Sequence, residues 1–160
     1  MAVGSQWGRT LDTIAGNWRL GGVLTWHSGF PLTVSALDRS GTLSGGPRAD
    51  IIVDPRGNEG VGQNATWFNT AAFRQPRAGT FGSSGASVVR GPGLKNLDLS
   101  LQKSFPVTEI KRFEFRVEAF NSTNTPLFNA PDVNVNSTTF GQVLNSQGER
   151  NIQLALKFYF

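Results

Sequence analysis

Ile152-Gln153-Leu154-Ala155-Leu156-Lys157-Phe158-Tyr159-Phe160 closes the chain, and every second residue in it is large and apolar. Side chains alternate across a β-strand, so Ile152, Leu154, Leu156, Phe158 and Phe160 share one face. Gln153, Ala155, Lys157 and Tyr159 take the other. The same alternation recurs further up the chain. Leu97, Leu99, Leu101 and Phe105 oppose Asp98, Ser100, Gln102 and Ser104, with Lys103 interrupting the apolar row. Phe113, Phe115, Val117 and Ala119 oppose Glu114, Arg116 and Glu118. Trp18, Leu20, Gly22, Leu24 and Trp26 oppose Arg19, Gly21, Val23, Thr25 and His27. The expected strands lie near 17–28, 96–105, 111–120 and 151–160.

A soluble antiparallel sheet with one wet face also alternates. These runs are longer than the roughly 5–6 residues usual in soluble strands and match the roughly 9–11 that cross a bilayer at a tilt. The aromatics also fall at particular ends. If neighbouring strands run antiparallel, Trp18, Phe105, Phe113 and Phe160 gather at one edge with Phe158 beside them. An aromatic row at one interface is a habit of outer-membrane barrels. Lys103 lies close to that edge, where a lysine can extend to the headgroups. The polar side chains Arg19, Asp98, Glu114, Arg116, Glu118 and Lys157 would then face a lumen as a ladder of ion pairs.

The connections are unequal. Pro106–Ile110 is short, whereas the links over about 37–95 and 122–149 are long and rich in Gly, Asn, Ser, Thr and Pro. Short turns on one side and long extracellular loops on the other fit a barrel. Ser28-Gly29-Phe30-Pro31 reads as a bulge that carries the first strand beyond the membrane. Ile51, Ile52 and Val53 form a small apolar run in the first long loop. In the same loop Trp67, Phe68 and Phe73 form an aromatic cluster that either staples the loop to itself or stacks on a ligand such as a sugar or peptide.

Composition agrees with a turn-rich all-β chain: 160 residues with Gly 19, Pro 8, Phe 12, Tyr 1 and only 16% charged. Without cysteine there is no disulfide, thiolate metal site or cysteine nucleophile. No apolar run is long enough for a membrane-spanning helix, and Gln6, Arg9 and Asp12 interrupt any signal-peptide pattern. The net charge of +4 comes from scattered Lys and Arg, which argues against nucleic acid. His27 is the single histidine and reads as a structural hydrogen-bonding group. Arg90-Gly91-Pro92-Gly93 leads into a strand rather than a helix, so it is no phosphate cradle. Asp50, Asp54 and Glu59 lack calcium-loop spacing. The Asn-x-Ser/Thr triplets at Asn64, Asn121 and Asn136 carry no functional weight. The expectation is therefore no enzyme, no metal and no cofactor.

Several motifs in order resemble one family. They are Gly16-Asn17-Trp18-Arg19-Leu20-Gly21-Gly22-Val23, Ser28-Gly29-Phe30-Pro31, Trp67-Phe68-Asn69-Thr70-Ala71-Ala72-Phe73 and Arg90-Gly91-Pro92-Gly93-Leu94-Lys95-Asn96-Leu97-Asp98. Phe115-Arg116-Val117-Glu118-Ala119-Phe120-Asn121, Asn124-Thr125-Pro126-Leu127-Phe128 and Leu156-Lys157-Phe158-Tyr159-Phe160 follow. Together they resemble the C-terminal part of TonB-dependent outer-membrane receptors, in the Oar-like group whose members often carry a carboxypeptidase-regulatory-like domain. The resemblance implies a plugged barrel of about 22 strands that imports a large nutrient in the outer membrane of a Gram-negative bacterium. It implies the rest of the barrel and plug, outer-membrane lipid, the TonB system and the barrel assembly machinery as partners, the last reading Phe160 as an assembly signal. The expected fold is an all-β, antiparallel, transmembrane β-barrel segment of about four long strands and two long extracellular loops. Such a segment is an incomplete barrel and is expected to come from a truncated or split reading frame. Residues 1–9 would be the tail of one more strand. A different class, a soluble or surface β-sandwich that binds carbohydrate, is the alternative. A barrel assembled from several copies is a third.

Overall fold

The computed structural model describes residues 15–42, 46–57 and 59–160. The possible extra strand at 1–9 lies outside them. In chain order the strands are β1 (Trp18–His27), β2 (Pro31–Leu32), β3 (Asp50–Ile51), β4 (Phe73–Arg74) and β5 (Val89–Arg90). Then come β6 (Leu94–Pro106), β7 (Arg112–Phe120), β8 (Leu127–Phe128), β9 (Ser146–Gln147) and β10 (Asn151–Tyr159). A single 3-10 turn, Thr70–Ala72, precedes β4. The described residues form two compact units, one of residues 15–25, 95–125 and 148–160, the other of residues 26–42, 46–57, 59–94 and 126–147.

The first unit is a sheet in the order β1-β6-β7-β10. These are the four long strands that alternation marks, and β1 and β10 are its edges, so the barrel is not closed among the described residues. β6 pairs antiparallel with β7, and β7 with β10. β1 is also antiparallel to β6. The Ser104 N–H donates to the Asn17 carbonyl at 3.3 Å, while Gly21 lies against Ser100 and Gly22 against Leu99 and Asp98. Asn17 takes a left-handed conformation (φ 57), which Asn tolerates, and the strand begins one residue later. The β6–β7 turn is tight: Val107 N–H and Thr108 N–H both donate to the Lys111 carbonyl, at 2.9 and 3.0 Å.

The second unit gathers both long connections around a core of its own. Val34, Ala36, Ala49, Phe68, Ala72, Phe73 and Val89 are buried together, with Phe140 packed against them. The rings of Phe68, Phe73 and Phe140 meet edge to face at 5.3–6.2 Å, a favoured geometry for aromatic quadrupoles. Short pairs brace this core: β2 with β5, β3 with β4, and β8 with β9. Of the apolar run, Ile51 packs against the core while Ile52 and Val53 are exposed.

The bulge reading of Ser28–Pro31 needs correction. β2 does not continue β1 in its sheet but pairs separately with β5. The reason is a close backbone approach. A Cβ on Gly29 would sit 1.6 Å from the Gly91 carbonyl oxygen, and one on Gly93 would sit 2.9 Å from that of His27. Only glycine permits these contacts, and Gly91 N–H donates to the Phe30 carbonyl at 2.9 Å.

Candidate functional site

The register of the sheet decides which side chains form one surface. Leu99, Ala119 and Ile152 lie in one row; Leu101, Val117 and Leu154 in the next. Lys103, Phe115 and Leu156 follow, then Phe105, Phe113 and Phe158. Every alternate row is thus apolar across three strands, with one lysine as the exception. β1 adds Leu20, Leu24 and Trp26, which are 78%, 72% and 74% exposed. On β10, Leu154 and Leu156 are each 69% exposed. In water an apolar surface this continuous is unfavourable by about 25 cal/mol per Å² and marks an interaction surface. In hydrocarbon that penalty vanishes.

The aromatics occupy one end of this face. Phe105, Phe113 and Phe158 stand in the same row, and the Phe113 and Phe158 rings are 4.7 Å apart. Phe160 lies one position past β10, its ring stacked on Phe158 at 5.8 Å. Trp18 joins them through Lys103, whose ammonium sits 5.0 Å from the Trp18 ring and 5.3 Å from that of Phe105. Lys103 is only 1% exposed and donates to the Gly16 carbonyl. Its charge is therefore covered by two aromatic faces and a carbonyl, which explains how a cation is tolerated in an apolar row.

The opposite rows are polar: Ser100, Glu118 and Gln153, then Gln102, Arg116 and Ala155, then Ser104, Glu114 and Lys157. Within them Arg116 pairs with Glu118 at 3.5 Å and donates to Gln102 at 3.4 Å. Arg112 lies over the Tyr159 ring at 4.2 Å. Asp98 has a different job from the ladder expected of it. Its carboxylate accepts from the Asn121 N–H at 2.8 Å and from the Asn96 amide at 3.0 Å, so it is spent on a chain reversal.

The loop aromatics divide. Phe68 and Phe73 are buried at 3% and 7% exposure. In the core of this unit the two rings hold the loops to one another. Trp67 is half-buried and its indole N–H donates to the Arg90 carbonyl at 2.6 Å. His27 has its Nδ1 against the Ser28 carbonyl at 3.0 Å and its ring 5.2 Å from Phe30. Among the described residues no group of three or more His, Asp or Glu could hold a metal ion.

Alternation places Trp26 on the apolar face, and the structure sets it eight positions beyond Trp18, at the other end of β1 from the aromatic row. One residue escapes the alternation argument. Asn121, at φ 47 and 7% exposed, ties the end of β7 to the approach to β10. Its amide donates to the carbonyls of Thr125 (2.8 Å) and Gly148, and its Oδ1 accepts from the Thr125 N–H at 3.0 Å. An Asn just past a strand, inside Asn121-Ser122-Thr123-Asn124, is the signal that marks such a turn.

No curated protein and no solved structure matches the chain. The profile of one family does: that of the outer membrane beta barrel domain matches residues 1–153. The matched span takes in β6, β7 and β1, and Leu20, Leu24 and Trp26 of β1 are open to the surroundings as lipid contact requires. No helix among the described residues is long and apolar enough to cross a membrane, and a β-barrel crosses with strands. A two-faced antiparallel sheet and this family match together make the chain a member of the outer membrane beta barrel domain family, located in the outer membrane.

Proposed function

We propose that the chain supplies wall strands and extracellular loops to a TonB-dependent receptor of the Oar-like group, which imports a large nutrient. The observation that supports this most is the meeting of two motifs of the resemblance. Ser28-Gly29-Phe30-Pro31 and Arg90-Gly91-Pro92-Gly93 are far apart in sequence but touch backbone to backbone, with Arg90 donating to the Gly29 carbonyl at 3.1 Å. The glycines of both motifs thus have one shared structural reason.

On this reading the apolar rows face lipid. Trp18, Phe105, Phe113, Phe158 and Phe160 lie at the periplasmic headgroup level, and Trp26 lies at the outer one. Arg19, Asp98, Glu114, Arg116, Glu118 and Lys157 face the lumen. β1 and β10 join further strands, because unpaired N–H and C=O groups in hydrocarbon are unfavourable by several kcal/mol each. Phe160 is the group read by the barrel assembly machinery. The protein works as a passage and not as an enzyme: binding and movement of the substrate require no covalent step.

The test is genetic and additive. The gene is deleted alone, the TonB gene alone, and both together, and growth is compared over a panel of scarce nutrient sources. A nutrient whose use falls equally in all three strains supports the reading. A defect in the double deletion that sums two independent defects, or no defect that needs this gene, contradicts it.

A further inference from the structure

We propose that the loop unit carries a saccharide-binding cleft between segments 55–57, 67–68 and 87–90, with the Trp67 ring as its platform and Arg56, Glu59 and Arg90 as its polar rim. The cleft has a volume of about 410 Å³, within the roughly 300–1,000 Å³ of small-molecule sites. Phe68 and Val89 add to its apolar lining.

Its walls are fixed through the backbone. Glu59 N–H donates to the Trp67 carbonyl at 3.1 Å, and Asn69 N–H donates to the Pro55 carbonyl at 3.0 Å. Gly57 passes so close to Phe68 that a Cβ there would lie 2.4 Å from the Phe68 Cα. The cleft is therefore formed before a ligand arrives, which lowers the ordering cost of binding.

The lining chemistry selects the ligand class. The indole N–H of Trp67 is already spent on the Arg90 carbonyl at 2.6 Å, so the ring offers the ligand carbon surface and no donor. A pyranose presents an apolar C–H face to such a surface and a rim of hydroxyls around it. Guanidinium and carboxylate groups bond hydroxyls well. The Arg56 side chain is 91% exposed and pairs with Asp54 at 3.7 Å. Arg90 keeps guanidinium donors beyond the one it gives to the Gly29 carbonyl. A purely apolar ligand would leave these charges unused, and a bare inorganic anion would leave Trp67 unused and meet Glu59. With Asp54 beside Arg56, the two guanidiniums meet two carboxylates, Asp54 and Glu59, which favours a neutral sugar over a uronic acid.

This inference goes beyond import, because binding needs neither TonB nor movement across the membrane. The full chain, purified in detergent, is screened on a panel containing cellobiose, maltose, chitobiose and digalacturonate. The sugars that bind are then titrated calorimetrically. The expected result is saturable binding, strongest for a neutral disaccharide, that Arg56→Ala and Trp67→Phe each weaken about tenfold, the first by a lost hydrogen bond and the second by lost stacking surface. Arg56→Ala removes an exposed side chain and leaves the fold intact, so its effect reports on the cleft. Absence of binding to every sugar on the panel overturns the proposal, as does binding that both variants leave unchanged. Tighter binding of digalacturonate overturns the preference for a neutral sugar. Each of these outcomes leaves the import reading standing, and failure of the genetic test leaves this one standing.

Discussion

Asn121 shows how much one side chain can hold. Its amide meets two carbonyls and one N–H, and its own N–H reaches Asp98. Asn121→Ala leaves those buried groups unpaired and places alanine in a left-handed conformation, at about 1–2 kcal/mol for the conformation alone. A total loss of about 2–4 kcal/mol is expected in urea unfolding in micelles; a loss under about 1 kcal/mol would contradict the assignment. Asp132 offers a pH handle outside the long strands. Burial works to raise its pKa, but hydrogen bonds from Ser137, the Asn134 N–H and Thr139 outweigh burial and hold it below the ordinary carboxylate value. A carboxyl depressed in the folded state stabilises above its unfolded pKa, about 4. That stability is lost as pH falls through the lower folded value. Pepsin should therefore cut the 126–147 segment faster as pH falls below about 4, and Asp132→Asn should flatten that dependence. An unchanged pH profile in the variant would remove Asp132 from the account.

Among the elements, β10 is the most readable in sequence and the second unit the least. β10 has an unbroken alternation, so its faces follow from counting. β6 was readable except at Lys103, where alternation put a cation among leucines. The answer lies in Gly16, Trp18 and Phe105, which a scan of β6 alone does not reach. The core of the second unit joins Val34, Ala49, Phe73, Val89 and Phe140. These have no common period, so the loops looked structureless and β2 looked like an extension of β1. Of the site residues, the aromatic row was legible because antiparallel direction and strand length fix it. For Phe68 and Phe73 a staple and a ligand contact were both open, and their partner Phe140 was not legible because it comes from the other connection. Two substitutions test these elements. Leu154→Arg on the apolar face is expected to destabilise the inserted protein by about 2–4 kcal/mol, and Gln153→Arg on the polar face by about 0.5 or less. Equal effects would mean that the two faces share one environment. Gly29→Ala forces backbone apart at Gly91. It is expected to expose segment 26–94 to limited proteolysis while the long strands remain protected; an unchanged digest would contradict the close approach.

For the molecule as a whole, the sheet is explained by its solvent. Among the described residues its exposed leucines and aromatics have no covering layer within their unit. Membership in an outer membrane beta barrel family supplies the missing layer as lipid. The open edges at β1 and β10 then call for further strands, from a larger barrel or from additional copies. The chain contains no cysteine, so single-cysteine variants report one position each. The decisive measurement is a cysteine scan over residues 151–159, spin-labelled in the outer membrane, with accessibility to oxygen compared with that to a water-soluble nickel chelate. The account predicts a period of two: positions 152, 154, 156 and 158 collide with oxygen, and positions 153, 155 and 157 with the chelate. Chelate access at Leu154 and Leu156 equal to that at their neighbours would contradict the claim that this face meets lipid.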